Sequence, residues 1–267
     1  MAEVTFEIRG TAVLVGPPLT VVQTEVKLQG SFVDFTIYVN HGSSFFTPQQ
    51  ISATAAVTSL PAGAYTARLY TMDRTTPATE FQGPTFYGTL DFLVVEDSVL
   101  GSAVEYFNPS RSHYFQTADK TEIAALDGGI FPGWARTGQS YPVYVSSAGT
   151  QLPPVLVPVC RYYGLPDAGL DTHFFSAFVS ECAAVHAKWP TQWLLETPSA
   201  YWVALPSTTD GTCLFGTSPL YRIFNNRPDV NHRYTTSIAI RQQMIASGWV
   251  PEGFGDLGVA MCVNSSN

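Results

Sequence analysis

Three histidines recur at an almost constant interval in the second half of this 267-residue chain. His113 and His173 are 60 residues apart, and His173 and His232 are 59 residues apart. Three imidazole rings that converge on one point could hold a zinc ion. Each histidine also precedes an aromatic strand, where its ring can donate a hydrogen bond to a backbone carbonyl of the adjoining turn. We favour this second interpretation, in which the histidines are structural anchors, and we assign no metal site and no cofactor.

The acidic residues of the same half do not form a matched catalytic pair. Hydrolysis of a glycosidic bond needs two opposed carboxyl groups, and nucleophilic catalysis needs a base beside the nucleophile. The available glutamates are spread along the region: Glu122, Glu181, Glu196 and Glu252. Glu122 and Glu181 fall in helix-compatible stretches, where solvated carboxylates are ordinary. The sequence also lacks Gly-x-Ser-x-Gly, His-Glu-x-x-His and Walker-type loops. We therefore predict no catalytic residue and a non-enzymatic protein.

The histidines belong to a unit that occurs three times. Each copy has two aromatic strands, a helix-compatible stretch and then a tryptophan. The strands are 105–109 with 113–117, 161–164 with 173–176, and 222–226 with 232–236. The helical stretches are 118–126, 178–187 and 238–247, and the tryptophans are Trp134, Trp193 and Trp249. Thr117 in the first copy and Thr236-Ser237 in the third carry hydroxyls that can cap their helices.

One such unit cannot bury its own apolar face. Alternation places Tyr106, Tyr162 and Ile223 on one face of the strands, with Phe107, Tyr163 and Phe224 on the other. The copies, at about 103–148, 157–205 and 213–265, are therefore expected to close around a shared pseudo-threefold core. This predicts a β-rich, propeller- or trefoil-like repeat domain over residues 103–267, with short helices. The three repeated tryptophans are expected to fill its core rather than to stack on sugars.

The first half is predicted to be a separate β domain. Alternating apolar positions and frequent turn residues indicate roughly seven short strands, which favours an immunoglobulin-like sandwich over residues 1–98. The phrase Leu-Pro-Ala-Gly-Ala-Tyr at 60–65, followed by a closing strand at 88–95, resembles bacterial immunoglobulin-like domains that precede other modules in exported proteins. We expect a spacer or protein-interaction domain, with its boundary at residues 96–102.

Charge and cysteine content limit the partners and the compartment. A net charge of -8 without any basic run argues against nucleic acid and anionic membranes. No apolar stretch is long enough to span a membrane. All four cysteines lie in the second half and no Cys-x-x-Cys occurs, which favours disulfides in a secreted or periplasmic protein over buried free thiols. Because Met1-Ala2-Glu3 leads directly into a strand pattern, we expect no signal peptide and a mature form with an added initiator methionine.

The third copy resembles a known repeat family. Segments 221–226, 232–236 and 248–253 read Tyr-Arg-Ile-Phe-Asn-Asn, His-Arg-Tyr-Thr-Thr and Gly-Trp-Val-Pro-Glu-Gly. They are similar to an exported bacterial family with the consensus Tyr-Arg-Phe-Tyr-Asn, His-Phe-Tyr-Thr, Gly-Trp and Glu-Gly. Its repeats accompany lysozyme-like, protease and other hydrolase domains, and it has no settled function. The resemblance covers about residues 103–265 and implies disulfides Cys160–Cys182 and Cys213–Cys262, one of three possible pairings.

The copies depart from that consensus where a ligand could be held. The first copy has Glu105 in place of Arg161 and Arg222, and Thr137 in place of Glu196 and Glu252. Binding sites therefore need not be equal in the three copies, although three equivalent pockets would give avidity.

We expect an exported, lectin-like binding module for carbohydrate or a cell-surface polymer. Sugars present apolar faces and hydroxyl rims, which suit aromatic rings edged by polar side chains. The candidate ligand-binding residues are Arg161, Arg222, Asn108, Asn225, Glu196, Glu252 and Trp202. Two alternatives are a hydrolase with an unrecognised site, and a structural or adhesive module. A protein partner could bind through the N-terminal sandwich.

Overall fold

The computed structural model describes residues 2–12, 19–41, 49–73, 84–94, 100–146 and 152–265. The chain is mainly β and divides into two compact units, Met1–Glu96 and Asp97–Asn267. Residues 95–99, at the predicted boundary, and residues 147–148, at the predicted end of the first copy, lie outside the described residues.

The first unit contains six strands within its described residues, each 10 to 12 residues long. They are β1 (Ala2–Ala12), β2 (Leu19–Gln29), β3 (Phe32–His41), β4 (Gln49–Leu60), β5 (Gly63–Asp73) and β6 (Thr85–Val94). β1 and β4 form an antiparallel pair, and the second sheet has the order β2-β3-β5-β6. The β3–β5 pair is parallel. The strands are thus longer than the sequence pattern indicates.

Alternation along β3 builds the core of this unit. Its inward residues are buried together with side chains of β4 and β6, and the cluster comprises Val33, Phe35, Ile37, Val39, Leu60, Phe92 and Val94. On the other face Asp34 lies opposite Arg68 in the ladder and accepts a 2.7 Å hydrogen bond from its Nη2. The period of two in the sequence therefore sets which face of the sheet is buried.

The second unit contains one hairpin, one helix and at least one further strand in each copy. The first copy has β7 (Leu100–Asn108), β8 (His113–Thr117), α1 (Lys120–Asp127) and β9 (Ala135–Tyr144). The second has β10 (Leu156–Pro158), β11 (Cys160–Gly164), β12 (Thr172–Ser176), α2 (Val179–Lys188), β13 (Trp193–Thr197) and β14 (Trp202–Ala204). The third has β15 (Thr217–Phe224), β16 (His232–Thr235), α3 (Ile238–Ala246), β17 (Val250–Glu252) and β18 (Val259–Asn264).

All three copies contribute to one core. Its buried members include Tyr141 and Val143 from the first copy, Phe175 and Val203 from the second, and Leu220, Tyr234 and Met261 from the third. A nine-stranded sheet has the order β16-β15-β18-β14-β9-β7-β8, with β10 on β14 and β17 on β15, and a three-stranded sheet has the order β12-β11-β13. The hairpin residues Tyr106, Tyr162 and Ile223 are buried, whereas Phe107, Tyr163 and Phe224 are half-buried. The two faces therefore differ as the alternation predicts.

The helix starts are set by different capping residues in the first and third copies. α3 begins after Ser237, whose hydroxyl accepts from the Ile240 amide as expected. α1 begins after Asp119, which accepts from two amides of the first turn. The prediction that Thr117 caps α1 is therefore wrong. A carboxylate two residues nearer the helix takes that role, and Thr117 accepts instead from the Asp119 amide.

The hairpin register shows that the three histidines are not equivalent. His173 lies opposite Tyr163, and His232 lies opposite Phe224. In the first copy His113 lies opposite Asn108, and the next residue, Tyr114, faces Phe107 instead. Because neighbouring strand residues point to opposite faces, the sequence alignment of His113 with the other two histidines is wrong by one position.

Candidate functional site

An ion-pair network joins the first copy to the second. Arg161 on β11 donates from Nη1 and Nη2 to the two carboxylate oxygens of Glu122 on α1, at 2.8 and 2.7 Å. Arg161 Nε lies 2.8 Å from Glu196 Oε2 on β13, and His173 Nε2 lies 3.3 Å from the same oxygen. The Arg161 side chain is only 12% exposed. A buried guanidinium is thus shared by carboxylates of two copies.

The second interface repeats this network one copy further along. Arg222 on β15 donates to both oxygens of Glu181 on α2, each at 2.9 Å. Its Nε donates to Glu252 Oε2 at 2.8 Å, and that oxygen lies 3.2 Å from His232 Nε2. The expectation that Glu122 and Glu181 are merely solvated is therefore wrong, because each pairs with the arginine of the following copy.

The third interface runs from the last copy back to the first and has its charges reversed. Glu105 stands at the arginine position and accepts two hydrogen bonds of 2.9 Å from Arg233 of β16. Thr137 donates to Glu105 Oε1 at 2.7 Å. Exposure is 10% for the Arg233 side chain and 3% for Glu105. The departures of the first copy from the repeat consensus are therefore matched by a partner of opposite charge.

Ring contacts follow the same route between copies. The Phe115 ring lies 4.5 Å from His173, the Phe174 ring lies 5.2 Å from His232, and the Arg233 guanidinium lies 4.2 Å from the Tyr114 ring centre. The three contributing residues hold the same place in the hairpin register, opposite Tyr106, Tyr162 and Ile223. Contacts thus run from the first copy to the second, from the second to the third, and from the third to the first.

The interface carboxylates are held in their ionised form. We call Glu122, Glu181, Glu196 and Glu252 the interface glutamates. Burial alone would raise the pKa of each, but hydrogen bonds and charge from the neighbouring arginines, histidines and hydroxyls outweigh it and lower each pKa from the ordinary 4.5. Burial lowers the pKa of His232 from 6.5, although Glu252 opposes that shift.

A cleft of about 360 Å³ opens between the first and second copies, within the range of small-molecule sites. Its lining residues are Arg111, Phe115, Glu122, Leu126, Phe131, Trp134, Arg161, Tyr163, Asp171, His173 and Glu196. Phe131 is 50% exposed, and the half-buried Trp134 ring packs edge-on against Phe115 at 5.9 Å. The first copy therefore supplies an aromatic wall, and the second copy supplies most of the polar groups.

The polar groups at the mouth of the cleft are also paired. Arg111 Nε lies 2.8 Å from Asp171 Oδ2, and Tyr163 donates to Asp171 Oδ1 at 2.8 Å. Burial and this hydrogen bond raise the pKa of Tyr163 to about 12, so its hydroxyl keeps its proton at neutral pH. The cleft thus has fixed donors and acceptors before any ligand arrives.

One turn position distinguishes the interfaces. Ser112 and Asp171 directly precede the second hairpin strands β8 and β12, and Val230 lies two residues before β16; their φ angles are positive, at 55°, 49° and 48°. Asp171 lines the cleft, whereas Val230 packs on the apolar cluster of the second copy that includes Phe174 and Trp193. A β-branched residue in this conformation is strained. At the second interface Val230 therefore packs against apolar side chains, whereas Asp171 at the first interface is polar and lines the open cleft.

The cavities at the other interfaces are smaller. One of about 190 Å³ lies beside Arg222 and Glu181, against Phe178 and Phe254. Another of about 10 Å³, the size of a single water, lies beside Glu105 where the copies meet. The cavities beside the three networks therefore differ widely in size.

His113 and Asn231 tie the turns of the three copies together. The two ring nitrogens of His113 lie 3.0 Å from the Asp171 carbonyl and from Asp229 Oδ2. Asn231 accepts from the Tyr114 amide at 2.8 Å and donates to the Tyr114 carbonyl and to Thr172. His113 thus contacts a carbonyl of the second copy and not of its adjoining turn, while His173 and His232 contact the carboxylates of Glu196 and Glu252.

The structure brings two of the predicted ligand residues to the cleft, Arg161 and Glu196. Arg222 and Glu252 occupy the second network. Asn108 and Asn225 are buried and hold their own turns, since each accepts from a backbone amide two residues ahead. Trp202 is half-buried on β14 opposite Tyr144 and Pro158. Among the repeated tryptophans, Trp193 is buried while Trp134 and Trp249 are half-buried, and Trp134 lines the cleft, so Trp134 is not confined to the core as predicted.

Sequence reasoning missed the ion-pairing role of the helix glutamates Glu122 and Glu181, and it did not identify Phe131 as part of the aromatic wall. Glu122 and Glu181 are 59 residues apart, the interval that also separates His173 from His232. That shared period marks both glutamates as repeat positions. Phe131 and Arg111 lie in loops of the first copy, where no periodic signal identifies them.

Both disulfides join the pairs that the family resemblance implies. Cys160 is bonded to Cys182 and Cys213 to Cys262, which indicates an extracellular or otherwise oxidising compartment. Over the described ranges, no cluster of three or more His, Cys, Asp or Glu side chains could hold a metal ion. In the same ranges, no helix has the length and apolar character that crossing a bilayer requires.

The described residues define a disulfide-linked, mainly β protein whose second unit joins three related hairpin–helix copies through buried ion pairs. Residues 102–259 match a family described as a domain of unknown function, DUF5648, and the chain belongs to that family. No curated protein and no solved structure matches the chain.

Proposed function

We propose that the second unit is a non-catalytic saccharide-binding module whose site is the cleft between the first and second copies. The observation that carries this proposal is the pairing of an aromatic wall, Phe131 and Trp134, with a pre-formed polar floor around Arg161. A pyranose presents an apolar face and a rim of hydroxyls, and these two surfaces of the cleft complement them.

The electrostatics of the cleft favour binding over hydrolysis. A glycosidase needs one carboxyl group with a raised pKa to protonate the leaving oxygen. Glu122 and Glu196, the glutamates of the cleft, both have a lowered pKa because the hydrogen bonds and charge of Arg161 and His173 outweigh burial. Neither is poised as a general acid at neutral pH.

The proposed architecture has one principal site per chain. In this proposal the second unit closes as a pseudo-threefold repeat domain, and the first unit is an immunoglobulin-like sandwich that serves as a spacer or contacts a protein partner. The packing of Val230 and the charge reversal at Glu105 support a single large cleft. Export to a secreted or periplasmic location agrees with the two disulfides.

The proposal is tested by titration calorimetry of the full chain with a panel of soluble oligosaccharides. Trp134→Ala should weaken the Kd of a bound oligosaccharide about tenfold, since loss of one stacked aromatic ring costs about 1–2 kcal/mol. Trp189→Ala is the matched control, because Trp189 is 45% exposed and lies outside the cleft lining. Trp134→Phe keeps a ring beside Phe115 and should retain part of the affinity.

Two outcomes would contradict the proposal. One is the absence of binding to every saccharide in the panel. The other is a Trp134→Ala variant that folds, as judged by its thermal unfolding, and binds as tightly as the native chain.

A further inference from the structure

We infer that the cleft between the first and second copies selects an uncharged saccharide over acidic saccharides and over saccharides with free, cationic amino groups. This inference rests on the proposed function and names the class of ligand for that site. The supporting observation is that each carboxylate and each guanidinium lining the cleft already lies against a group of opposite charge.

The charges that line the cleft nearly balance. Three carboxylates, Glu122, Glu196 and Asp171, face two guanidiniums and the His173 ring. Arg161 bonds Glu122 and contacts Glu196, while Arg111 contacts Asp171 at 2.8 Å. Among the described residues, neither guanidinium of the cleft is left without a carboxylate at contact distance.

An acidic ligand would meet this arrangement unfavourably. A uronate or sulfate group that approached Arg161 would come within a few ångströms of the carboxylates of Glu122 and Glu196, because these already surround the guanidinium. It would have to displace one of them, and the displaced carboxylate would stay half-buried without its partner. The more exposed Arg111 offers one salt bridge, but only in competition with Asp171.

A cationic ligand meets the complementary obstacle. The carboxylates of Glu122 and Glu196 are paired with Arg161, whose side chain is only 12% exposed. An ammonium group that took over Glu122 or Glu196 would leave this guanidinium unpaired in a buried position.

Neutral hydroxyls fit without any displacement. Both contacts of Glu196 within the described part of the chain run through Oε2, so Oε1 keeps its lone pairs for a ligand hydroxyl. The Tyr163 oxygen, which donates to Asp171, can still accept. A hydroxyl both donates and accepts, so it can bond to either atom and leave the ion pairs intact.

The test compares hexasaccharide probes of three charge classes by calorimetry on the full chain. The neutral probes are cellohexaose, chitohexaose, maltohexaose and laminarihexaose, the acidic probe is hexagalacturonate, and the cationic probe is the hexamer of glucosamine. We expect at least one neutral probe to bind at least about tenfold more tightly than both charged probes. Its Kd should change less than about twofold between 0.05 and 0.5 M NaCl, since it forms no ion pair that salt would screen.

The outcomes separate this inference from the proposed function. Tightest binding by hexagalacturonate or by the glucosamine hexamer, with affinity lost in high salt and lost in Trp134→Ala, would overturn the inference and leave the saccharide site standing. Failure of all six probes and of the wider panel would refute both. Tight neutral binding that Trp134→Ala does not weaken would contradict the assignment to this cleft.

Discussion

Replacing Arg233 by methionine should destabilise the second unit more than any single surface change. The guanidinium gives Glu105 two hydrogen bonds of 2.9 Å and also lies over the Tyr114 ring. Without it, a carboxylate that is 97% buried keeps only the Thr137 hydroxyl. Removing one partner of a buried ion pair costs about 3–5 kcal/mol. At a urea slope of about 2 kcal/mol/M, the midpoint should fall by about 1.5–2.5 M.

The assay is urea unfolding followed by tryptophan fluorescence with the disulfides intact. All five tryptophans lie in the second unit, so the signal reports on that unit alone. Adding Glu105→Gln to Arg233→Met should raise the midpoint again, because the double variant buries no charge. The matched control is Arg136→Met, which breaks the exposed pair with Asp127 and should leave the midpoint unchanged. If Glu105→Gln lowers the stability of the Arg233→Met variant further, the reasoning about a stranded charge is wrong.

Three further predictions concern the same unit. Because the pKa of each interface glutamate is lowered, its stabilising effect is present above the ordinary 4.5 and is lost as the pH falls through the lowered value. The pKa of His232 is also lowered, so protonation of this buried ring destabilises the fold as the pH falls below 6.5. Urea midpoints should therefore decrease steadily from pH 6.5 to 3. A flat profile would contradict the lowered pKa values of the interface glutamates and His232. Replacing both cysteines of Cys213–Cys262 by serine should lower the free energy of unfolding by about 4 kcal/mol, against about 3 kcal/mol for Cys160–Cys182, because the two bonds close loops of 49 and 22 residues. Equal urea midpoints for the two variants would show that loop length does not set the stabilisation by each disulfide. Asn231→Ala should cost about 1–3 kcal/mol in the same unfolding assay, since the Tyr114 amide loses the acceptor that the fully buried Asn231 side chain supplies. A loss below about 0.5 kcal/mol would mean that water replaces the side chain.

The regular features of the second unit follow from its sequence. Two-residue alternation identifies the buried hairpin face, as Tyr106, Tyr162 and Ile223 demonstrate. Apolar spacing locates the three helices to within two residues at each end. These features depend on local periodicity, and local periodicity is what a single sequence displays.

Features that depend on contacts between copies escape the same reasoning. His113 resembles His173 in its neighbours, yet the turn before it has a different length, and only the strand register shows the offset of one residue. Glu122 lies on a helix surface that its own copy leaves open, and its partner Arg161 comes from the next copy. The cleft lies between two copies, so no single segment of the sequence contains a pattern that predicts it.

The salt bridge between Arg233 and Glu105 also determines which copies stand first and last. Open repeat arrays grow or shrink by duplication because each new unit stacks on a free end. Here the last unit contacts the first, and its arginine neutralises a glutamate where the other two units carry arginine. Loss of the third copy would place Glu105 beside the helix glutamate Glu181. Loss or duplication of the middle copy would instead keep an arginine opposite a helix glutamate at each junction, so the charges determine which copies come first and last.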